Sequence, residues 1–518
     1  MDRRIVRRLM CGCLLLAAGG GGARAQAAAE PIGLFSDHSD VGTVLHPGSV
    51  AYDTARRSYT ISGSGENVWA EADAFQFVWK KMEGDFTLTA DISILGQGGD
   101  PHKKAMLMAR RSLDADSAYA DVALHGVGLT SLQARDAKGA DTHEIQSNIS
   151  APKRLRLQKY HDEFTMWLAG EDGQFRMAGG SMRVPLTGAF YVGLGVCSHN
   201  KDAMESAKFR NVAIGTELSD LSAREYTTLE TITIASTDRR VTYVAPSRME
   251  SPNWTPDGAS LLFNREGRIE SVPVEGGQPR VINTGYPGVY AKAFHSISPD
   301  GTTLAISHFS RDHRDEAIYM LPLAGGAPRR VDARVPSIWQ GWSPDGKSIL
   351  FLMGEHGADY GIYTMPVAGG EETRLADGPP HQISAEYSPD GKYIYFDSDR
   401  SGALEIWRMR PDGSQPEQVT RDAAGNYCPH ISPDGRMMVF LTPQPRARDF
   451  PLVGEFALRL MTLANGQVRV LAKLKGGQAT MANPSWSPDS RRLAFVSYQG
   501  IRAGKEPQPE VPVPAVVK

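Results

Sequence analysis

One four-residue phrase recurs six times in the second half of the chain and constrains its fold more than any other feature. It reads Ser-Pro-Asp-Gly with small variations, and its aspartates are Asp257, Asp300, Asp345, Asp390, Asp434 and Asp489. The steps between them are 43, 45, 45, 44 and 55 residues. Proline followed by Asp-Gly favours a tight turn between antiparallel strands, and a short apolar run follows each turn. A repeat of this length with several strands per unit predicts the blades of a β-propeller.

The repeat also predicts how the ring of blades closes. A second motif, an apolar strand that ends in Ala-Gly-Gly, begins at Ile318 and at Ile362. Residues 229–236 resemble this third strand, whereas only one good strand follows the last turn. We therefore expect strands from the start of the domain to complete the final blade, because exchanged strands pair edges that would otherwise be open. The prediction is a six-bladed propeller over residues 229–499, closed by strand exchange.

Residues 31–215 lack this repeat but are also rich in strand patterns. Apolar residues alternate with polar ones at Phe86, Leu88, Ala90 and Ile92. Alternation with a period of two, punctuated by Gly, Asp and Asn, predicts a jelly-roll β-sandwich. Residues 216–228 form a short polar segment, which we interpret as a linker. The expected fold class is all-β, with an N-terminal jelly-roll sandwich followed by the propeller.

The N-terminal and C-terminal segments of the chain differ in composition and in what they predict. Arginines followed by a short apolar run and Ala-Arg-Ala predict a signal peptide over residues 1–25, cleaved after Ala25. We therefore expect a periplasmic or secreted protein, and no later stretch predicts a membrane span. Residues 500–518 are rich in proline and are predicted to be disordered. The net charge of −3 implies no broad surface for nucleic acid.

Two resemblances to known families follow from particular stretches. Residues 155–160, 164–167, 191–200 and 207–212 resemble the C-terminal half of the concanavalin-A-like (laminin-G-like) jelly rolls of bacterial exported proteins. The Ser-Pro-Asp-Gly and Gly-Gly repeats resemble the TolB-type, WD40-like (PD40) propeller repeats of periplasmic proteins. TolB carries a small α/β domain before its propeller, whereas a β-sandwich is expected here. This resemblance therefore implies the fold, and the role of TolB in the envelope-spanning Tol system does not carry over directly.

The mouth of the propeller channel is the predicted site, because inner strands end there. Four blades place a His, Gln or Glu four or five residues before the turn aspartate: His295, Gln340, Glu386 and His430. His381 lies slightly earlier in the fourth blade. His295 and His430 are candidate metal ligands and, with Glu386, candidate catalytic residues, whereas Gln340 and His381 are candidate ligand-binding residues. The competing interpretation is that these side chains bond strand ends or fill the gaps between blades.

Aromatic residues offer a second set of candidates. Trp69 and Trp79 lie in an aromatic-rich stretch of the sandwich and are candidate ligand-binding residues, with core packing as the alternative. Trp254, Trp342 and Trp486 share one position in three blades, which predicts a packing layer between blades. The six turn aspartates are equivalent copies, so we expect them to stabilise their own turns.

The function that these patterns favour is a non-catalytic binding or scaffold role toward an envelope protein or polysaccharide, with no cofactor. The alternative is a carbohydrate-active lyase or hydrolase with a polar or divalent-metal site at the channel mouth. Oligogalacturonate lyases are propellers with a metal site of this general kind, and the resemblance to them is one of architecture. The sequence makes no prediction of oligomeric state.

Overall fold

The computed structural model of the chain describes residues 32–216, 218, 225–285, 290–309, 316–331, 333–334, 336–354, 360–376, 384–422, 425–444, 453–481 and 485–500. The predicted signal peptide, nearly all of the predicted tail and His381 lie outside these residues. The regular secondary structure of the described part consists of strands and one short 3₁₀ helix, Gln478–Thr480, so the all-β prediction is confirmed. No helix within these ranges is long and apolar enough to cross a membrane.

The N-terminal region forms two facing sheets. Its strands are β1 Asp37–Val41, β2 Ser49–Asp53, β3 Ser58–Gly65, β4 Val68–Trp69, β5 Ala72–Asp73, β6 Phe75–Met82, β7 Phe86–Leu95, β8 Lys104–Arg110, β9 Tyr119–His125, β10 Thr130–Arg135, β11 His143–Gln146, β12 Arg154–Tyr160, β13 Glu163–Ala169, β14 Phe175–Arg183, β15 Phe190–Cys197 and β16 Asn200–Gly215. One sheet has the order β14-β13-β12-β7-β16-β3-β2. The other begins β1-β6-β15-β8-β9-β10-β11, and β4 and β5 form a separate hairpin.

Alternating apolar side chains from both sheets form one core. Leu88, Leu107, Leu157 and Leu194 are fully buried members of it. Close packing also explains Gly193 on β15, because a Cβ added there would lie 1.9 Å from the carbonyl oxygen of Val78. The two-sheet arrangement follows from the period-two pattern that the sequence shows.

A buried ion cluster fixes the β4–β5 hairpin on the outer face of the second sheet. The carboxylate of Asp73 accepts hydrogen bonds from Arg135 at 2.8 and 3.0 Å and from Arg110 at 3.2 Å. None of these three side chains is exposed to solvent. Arg135 also donates to the carbonyl oxygens of Ala70 and Ser117, so one arginine joins two loops to the sheet.

The C-terminal region contains five separate four-stranded antiparallel sheets, which are propeller blades. In chain order its strands are β17 Tyr226–Thr233, β18 Arg239–Ala245, β19 Met249–Trp254, β20 Ser260–Arg265, β21 Arg268–Pro273, β22 Arg280–Val281, β23 Tyr290–Ile297, β24 Thr303–Phe309, β25 Glu316–Pro322, β26 Arg329–Arg330, β27 Ser337–Trp342, β28 Ser348–Met353, β29 Gly361–Pro366, β30 Thr373–Ala376, β31 Ala385–Tyr387, β32 Ile394–Ser398, β33 Glu405–Met409, β34 Glu417–Gln418, β35 Tyr427–Ile431, β36 Met437–Gln444, β37 Gly454–Thr462, β38 Gln467–Gly476 and β39 Arg492–Gln499. Blades 1 to 5 are β19–β22, β23–β26, β27–β30, β31–β34 and β35–β38. The predicted β-propeller is therefore confirmed.

Strands β17, β18 and β39 belong to none of these five sheets and bring the two ends of the propeller region together. β17 pairs antiparallel with β39 from Tyr226↔Gln499 to Thr233↔Arg492, and β18 pairs with β17. These three strands continue the second sheet of the sandwich through a parallel pairing of β11 with β18, which makes ten strands in all. The sequence predicts a separate sixth blade here, whereas the structure shows five separate blades and a three-stranded extension of the sandwich sheet. β17 also begins at Tyr226, three residues before the predicted start of the domain.

All six turns of the repeat, five Asp-Gly and one Asp-Ser, have the same internal hydrogen bonds. In each turn the hydroxyl of the first residue donates to the aspartate at 2.5–2.8 Å. The same carboxylate oxygen accepts from the backbone N–H two residues later at 3.0–3.1 Å. In the sixth turn Ser490 replaces glycine at a positive φ of 59°. The aspartates thus serve their own turns, as their equivalence in the sequence predicts.

Candidate functional site

The inner strands place the predicted channel residues at one level. In four blades the equivalent residue of the first strand pairs with an apolar or aromatic residue of the second strand. These cross-strand partners are Asn253 and Leu262, His295 and Ile306, Glu386 and Tyr395, and His430 and Val439. Gln340 lies in a bulge between Trp339 and Gly341 of β27. His295, Gln340, Glu386 and His430 are all buried.

Glu386 and His430 form a buried pair between blades 4 and 5. Nδ1 of His430 lies 2.7 Å from Oε2 of Glu386, and the other carboxylate oxygen accepts from the backbone N–H of Ile431 at 3.3 Å. Burial raises the pKa of Glu386, while the hydrogen bond to His430 opposes that rise. Nε2 of His430 has no hydrogen-bond partner among the described residues. Nε2 of His430 is therefore left for a further partner of the imidazole, and the atom is shielded from solvent.

Gln340 has a comparable position between blades 3 and 4. Its Oε1 accepts from the backbone N–H of Ala385 at 2.9 Å, so it ties two inner strands together. Its Nε2 has no partner in the described part of the chain. Glu386 and Gln340 thus both bond the inner strand of the following blade, which is the geometry of the competing interpretation.

The metal prediction can be compared with the arrangement of donor groups. Within the described ranges, no group of three or more His, Cys, Asp or Glu side chains is positioned to hold a metal ion. Glu386 bonds His430 directly, so these two groups already serve each other as partners. His295 is buried on β23, and the fit of a metal to these residues remains a prediction for experiment.

The two sandwich tryptophans are half-buried. Nζ of Lys104 lies 5.4 Å from the centroid of the Trp69 ring. Trp79 contacts Tyr191 edge-on, with ring centroids 4.9 Å apart, and its Nε1 donates to Ser39 at 3.4 Å. Each ring has protein partners on at least one side, and their role in ligand binding stays a prediction.

The three propeller tryptophans, predicted to form one layer, differ in their surroundings. Nε1 of Trp254 donates to the carbonyl oxygen of Ser485, and that of Trp486 to the carbonyl oxygen of His430, both at 3.0 Å. Nε1 of Trp342 has no partner among the described residues, although the atom itself is buried. Two of the three therefore satisfy their indole N–H within the propeller, and the third does not.

A second tryptophan accounts for this difference. Trp339, three residues before Trp342, donates its Nε1 to Oγ of Ser296 in the preceding blade at 2.9 Å. The two rings meet edge-on with centroids 5.0 Å apart. The corresponding residues before Trp254 and Trp486 are Ser251 and Asn483. The extra tryptophan is thus the sequence signal that marks blade 3 as different.

Trp342 lines an open groove between blades 2 and 3. The groove has a volume of about 860 Å³ and lies beside the Asp-Gly turns of both blades. Its wall includes Pro299, Met320, Pro322, Arg329, Pro344 and Val367. It combines an apolar wall, one tryptophan ring and one arginine, which is a composition common in protein-recognition sites.

Comparison with known proteins identifies the propeller. Residues 295–503 match the TolB beta propeller domain family, PD40. The uncharacterized protein Atu1656 of Agrobacterium fabrum is 41% identical over 271 residues, which are 52% of this chain and 92% of that protein. The chain belongs to the TolB-type β-propeller family. The solved structure of a putative TolB from Agrobacterium tumefaciens is 40% identical, with a TM-score of 0.50, and covers 53% of this chain and 98% of that one.

A more distant relative carries a functional name. The Tol-Pal system protein TolB of Francisella tularensis is 25% identical over 246 residues. The match covers 46% of this chain and 54% of that protein, so this chain spans about half of the Francisella protein's length. The three matches cover 52%, 53% and 46% of this chain.

Proposed function

We propose that this chain is an exported, non-catalytic TolB-like binding protein whose propeller docks a protein of the bacterial envelope. The Francisella relative is named as a member of the Tol-Pal system, which supports a protein partner in the envelope. The observation that carries the proposal is the groove beside Trp342. Its position between two blades fits a segment of polypeptide rather than a small substrate.

The chemistry of the groove indicates what that segment offers. The partner would contact the Trp342 ring, which lines the groove. Apolar side chains would contact Pro299, Pro344 and Val367, and an acidic side chain would pair with Arg329. Buried tryptophan and arginine contribute most to many protein interfaces.

The test is site-specific photocrosslinking in cells. Benzoylphenylalanine replaces Arg329 in the groove and, as a matched control, Glu417, which occupies the equivalent outer strand of blade 4. We expect a discrete crosslinked envelope protein from position 329 and none from position 417. With the purified partner, Trp342→Ala should raise Kd at least tenfold, because it removes the aromatic ring that lines the groove. Equal crosslinking at both positions, or an unchanged Kd, would contradict the proposal.

Export and the finer fold assignment belong to the same proposal. Cleavage after Ala25 predicts Gln26 as the first residue of the protein recovered from the periplasm, which N-terminal sequencing checks.

We assign β39, β17 and β18, with the Trp486–Leu493 bridge, as the sixth blade, and the N-terminal sandwich as a jelly roll. The sixth turn supports the blade assignment because its hydrogen bonds match those of the other five.

The second candidate function is a carbohydrate-active lyase or hydrolase. The contact between Glu386 and His430, with Nε2 of the imidazole unpartnered, favours it because such a pair can accept a proton or hold a metal. Elemental analysis of untagged protein beside a His295→Ala/His430→Ala variant tests this candidate. Stoichiometric metal that is lost in the variant would favour the enzyme and lead to a glycan cleavage screen. Metal in neither sample would favour the binding protein.

A further inference from the structure

The groove beside Trp342 coincides with a small residue at one position of the repeat. Trp254, Trp342 and Trp486 each stand three residues before a turn aspartate, yet Trp254 and Trp486 are 2% exposed and Trp342 is half-buried. The residue three positions after each turn aspartate varies in size along the chain: Ser260, Thr303, Ser348, Tyr393, Met437 and Arg492. The long side chains of this series lie beside the two buried tryptophans.

Arg492 and Met437 cover their tryptophans from the preceding repeat. The guanidinium carbon of Arg492 lies 4.8 Å from the centroid of the Trp254 ring. Met437 packs against the apolar cluster that contains Trp486. Thr303 holds the same position before Trp342, and both Thr303 and Trp342 line the groove. Because threonine is too short to cover an indole, part of the Trp342 ring remains uncovered.

The surroundings of Trp254 and Trp342 otherwise match. Arg329 beside the groove has a counterpart in Arg240 on β18, because the residues that pair with them occupy the same position of the repeat. The turns before and after each ring carry the same aspartate. The side chain that covers Trp254 is therefore what differs, whereas its neighbours are alike. The chain itself thus shows a guanidinium accommodated over such a ring.

The charge of the groove favours a guanidinium over a thioether as the missing cover. Asp300, Asp345 and Arg329 line the groove, so its lining carries two carboxylates and one guanidinium. Hydrogen bonds from the serine hydroxyls of their own turns lower the pKa of both aspartates, which are therefore charged at neutral pH. An arginine side chain also suits an open groove, because its stem can cover the ring while its charged end stays in water.

We propose that the partner segment places an arginine side chain over the uncovered part of Trp342, as Arg492 does over Trp254. This inference rests on the proposed function, since it specifies the partner of the same groove. A planar guanidinium stacks on an aromatic face, and tryptophan is the ring that attracts cations best. Thr303 is then the residue that determines specificity, because its small size leaves the place for the partner's arginine.

The experiment selects peptides on the full chain from a phage-displayed library of random dodecapeptides, with counter-selection on Thr303→Arg. This variant supplies the guanidinium from the chain itself and should exclude an arginine of the peptide. Ser260→Arg is the matched control, because it adds the same charge at the same position of the repeat, outside the groove. Thr303→Met, which copies Met437, is a second variant that fills the place without adding charge.

We expect peptides that share one arginine and bind the native chain and Ser260→Arg, but neither Thr303 variant. Replacing that arginine by alanine or by methionine should raise Kd about fivefold, because the cation over the ring is lost. A shared apolar or acidic residue in place of the arginine would overturn the inference. So would equal binding to Thr303→Arg, or the absence of any peptide that distinguishes this variant from the native chain.

Photocrosslinking from position 329 decides the proposed function separately. A crosslinked envelope protein together with peptides that lack the arginine would retain the docking groove and remove this inference. Arginine peptides that respond to Thr303→Arg, without any crosslinked protein, would support the chemistry of the groove and contradict its docking role in the envelope.

Discussion

In the sandwich the carboxylate of Asp73 lies between two buried arginines, whereas in the propeller one small turn network is repeated six times. The Asp73 cluster places three charged side chains together, all shielded from solvent. The turn network is instead divided among six equivalent sites, each of modest strength. A single substitution should therefore damage the sandwich far more than the propeller turns. The predictions below test this difference, from the largest expected effect to the smallest.

Asp73→Asn should lower the free energy of unfolding by about 3–5 kcal/mol, because it leaves the buried charges of Arg110 and Arg135 without a carboxylate. Urea denaturation followed by tryptophan fluorescence measures the change. Asp114→Asn is the control, since the carboxylate of Asp114 is exposed and pairs with the exposed Lys138. A loss as small as that of the control would show that the cluster is not a concentrated source of stability.

Glu230→Gln tests the point where the propeller ends meet and join the sandwich. Arg239 donates to both oxygens of Glu230 at 2.8 and 2.9 Å, and Ser497 of β39 donates at 2.5 Å. We expect a loss of about 3 kcal/mol, because an unpaired arginine would remain buried. The same denaturation assay applies. A loss below 1 kcal/mol would show that the Glu230 pair contributes as little stability as a single turn, rather than as much as the Asp73 cluster.

The sandwich should also lose stability on acidification. Burial lowers the pKa of His125 to about 3, helped by the charge of Lys104. Below pH 6.5 the unfolded chain takes up a proton that the folded chain refuses, so this contribution is full above pH 6.5 and is lost as the pH falls toward 3. At pH 5 the loss is about 2 kcal/mol.

The measurement compares the free energy of unfolding at pH 7 and pH 5 in the native chain and in His125→Gln. The difference between the two pH values should shrink by about 2 kcal/mol in the variant. His161→Gln, which changes an exposed histidine, is the control. An unchanged difference in His125→Gln would mean that His125 is protonated in the folded chain.

Ser432→Ala should have the smallest effect, about 1 kcal/mol, because one turn loses a side-chain acceptor for the N–H of Met437. The same substitution at Ser343, in the turn of blade 3, should cost a similar amount, since its hydroxyl accepts from Ser348 in the same way. Thermal denaturation of each single variant and of the pair measures both costs and their additivity. Strongly unequal costs would show that the turns are not equivalent.

Much of the fold could be predicted from local patterns. The Asp-Gly period identifies the blades, and the match of residues 229–236 to a third strand anticipates the pairing of β17 with β39. The pairing of β11 with β18 could not be predicted in this way. Only two residue pairs form it, and neither strand carries a motif for the other.

Some features of the candidate site could likewise be predicted from the sequence, and others could not. The sequence could place Gln340, Glu386 and His430 near the inner strand ends, because each stands four or five residues before a turn aspartate. It could not show that Glu386 would bond His430 of the next blade, since the two are 44 residues apart and meet only when blades pack. Position in the repeat alone could not separate Trp342 from Trp254 and Trp486; the signal that does so is the neighbouring Trp339.

The sequence by itself determined the all-β class, the repeated turns and the strands that surround them, because turn chemistry and alternation act between near neighbours in the chain. The tertiary structure alone decided which polar groups are satisfied. Within the described residues, packing of blade 2 against blade 3 leaves the indole N–H of Trp342 without an acceptor, and sheet register sets Arg156 beside Thr89. Both outcomes depend on partners distant in sequence, whose approach is fixed only when the sheets assemble.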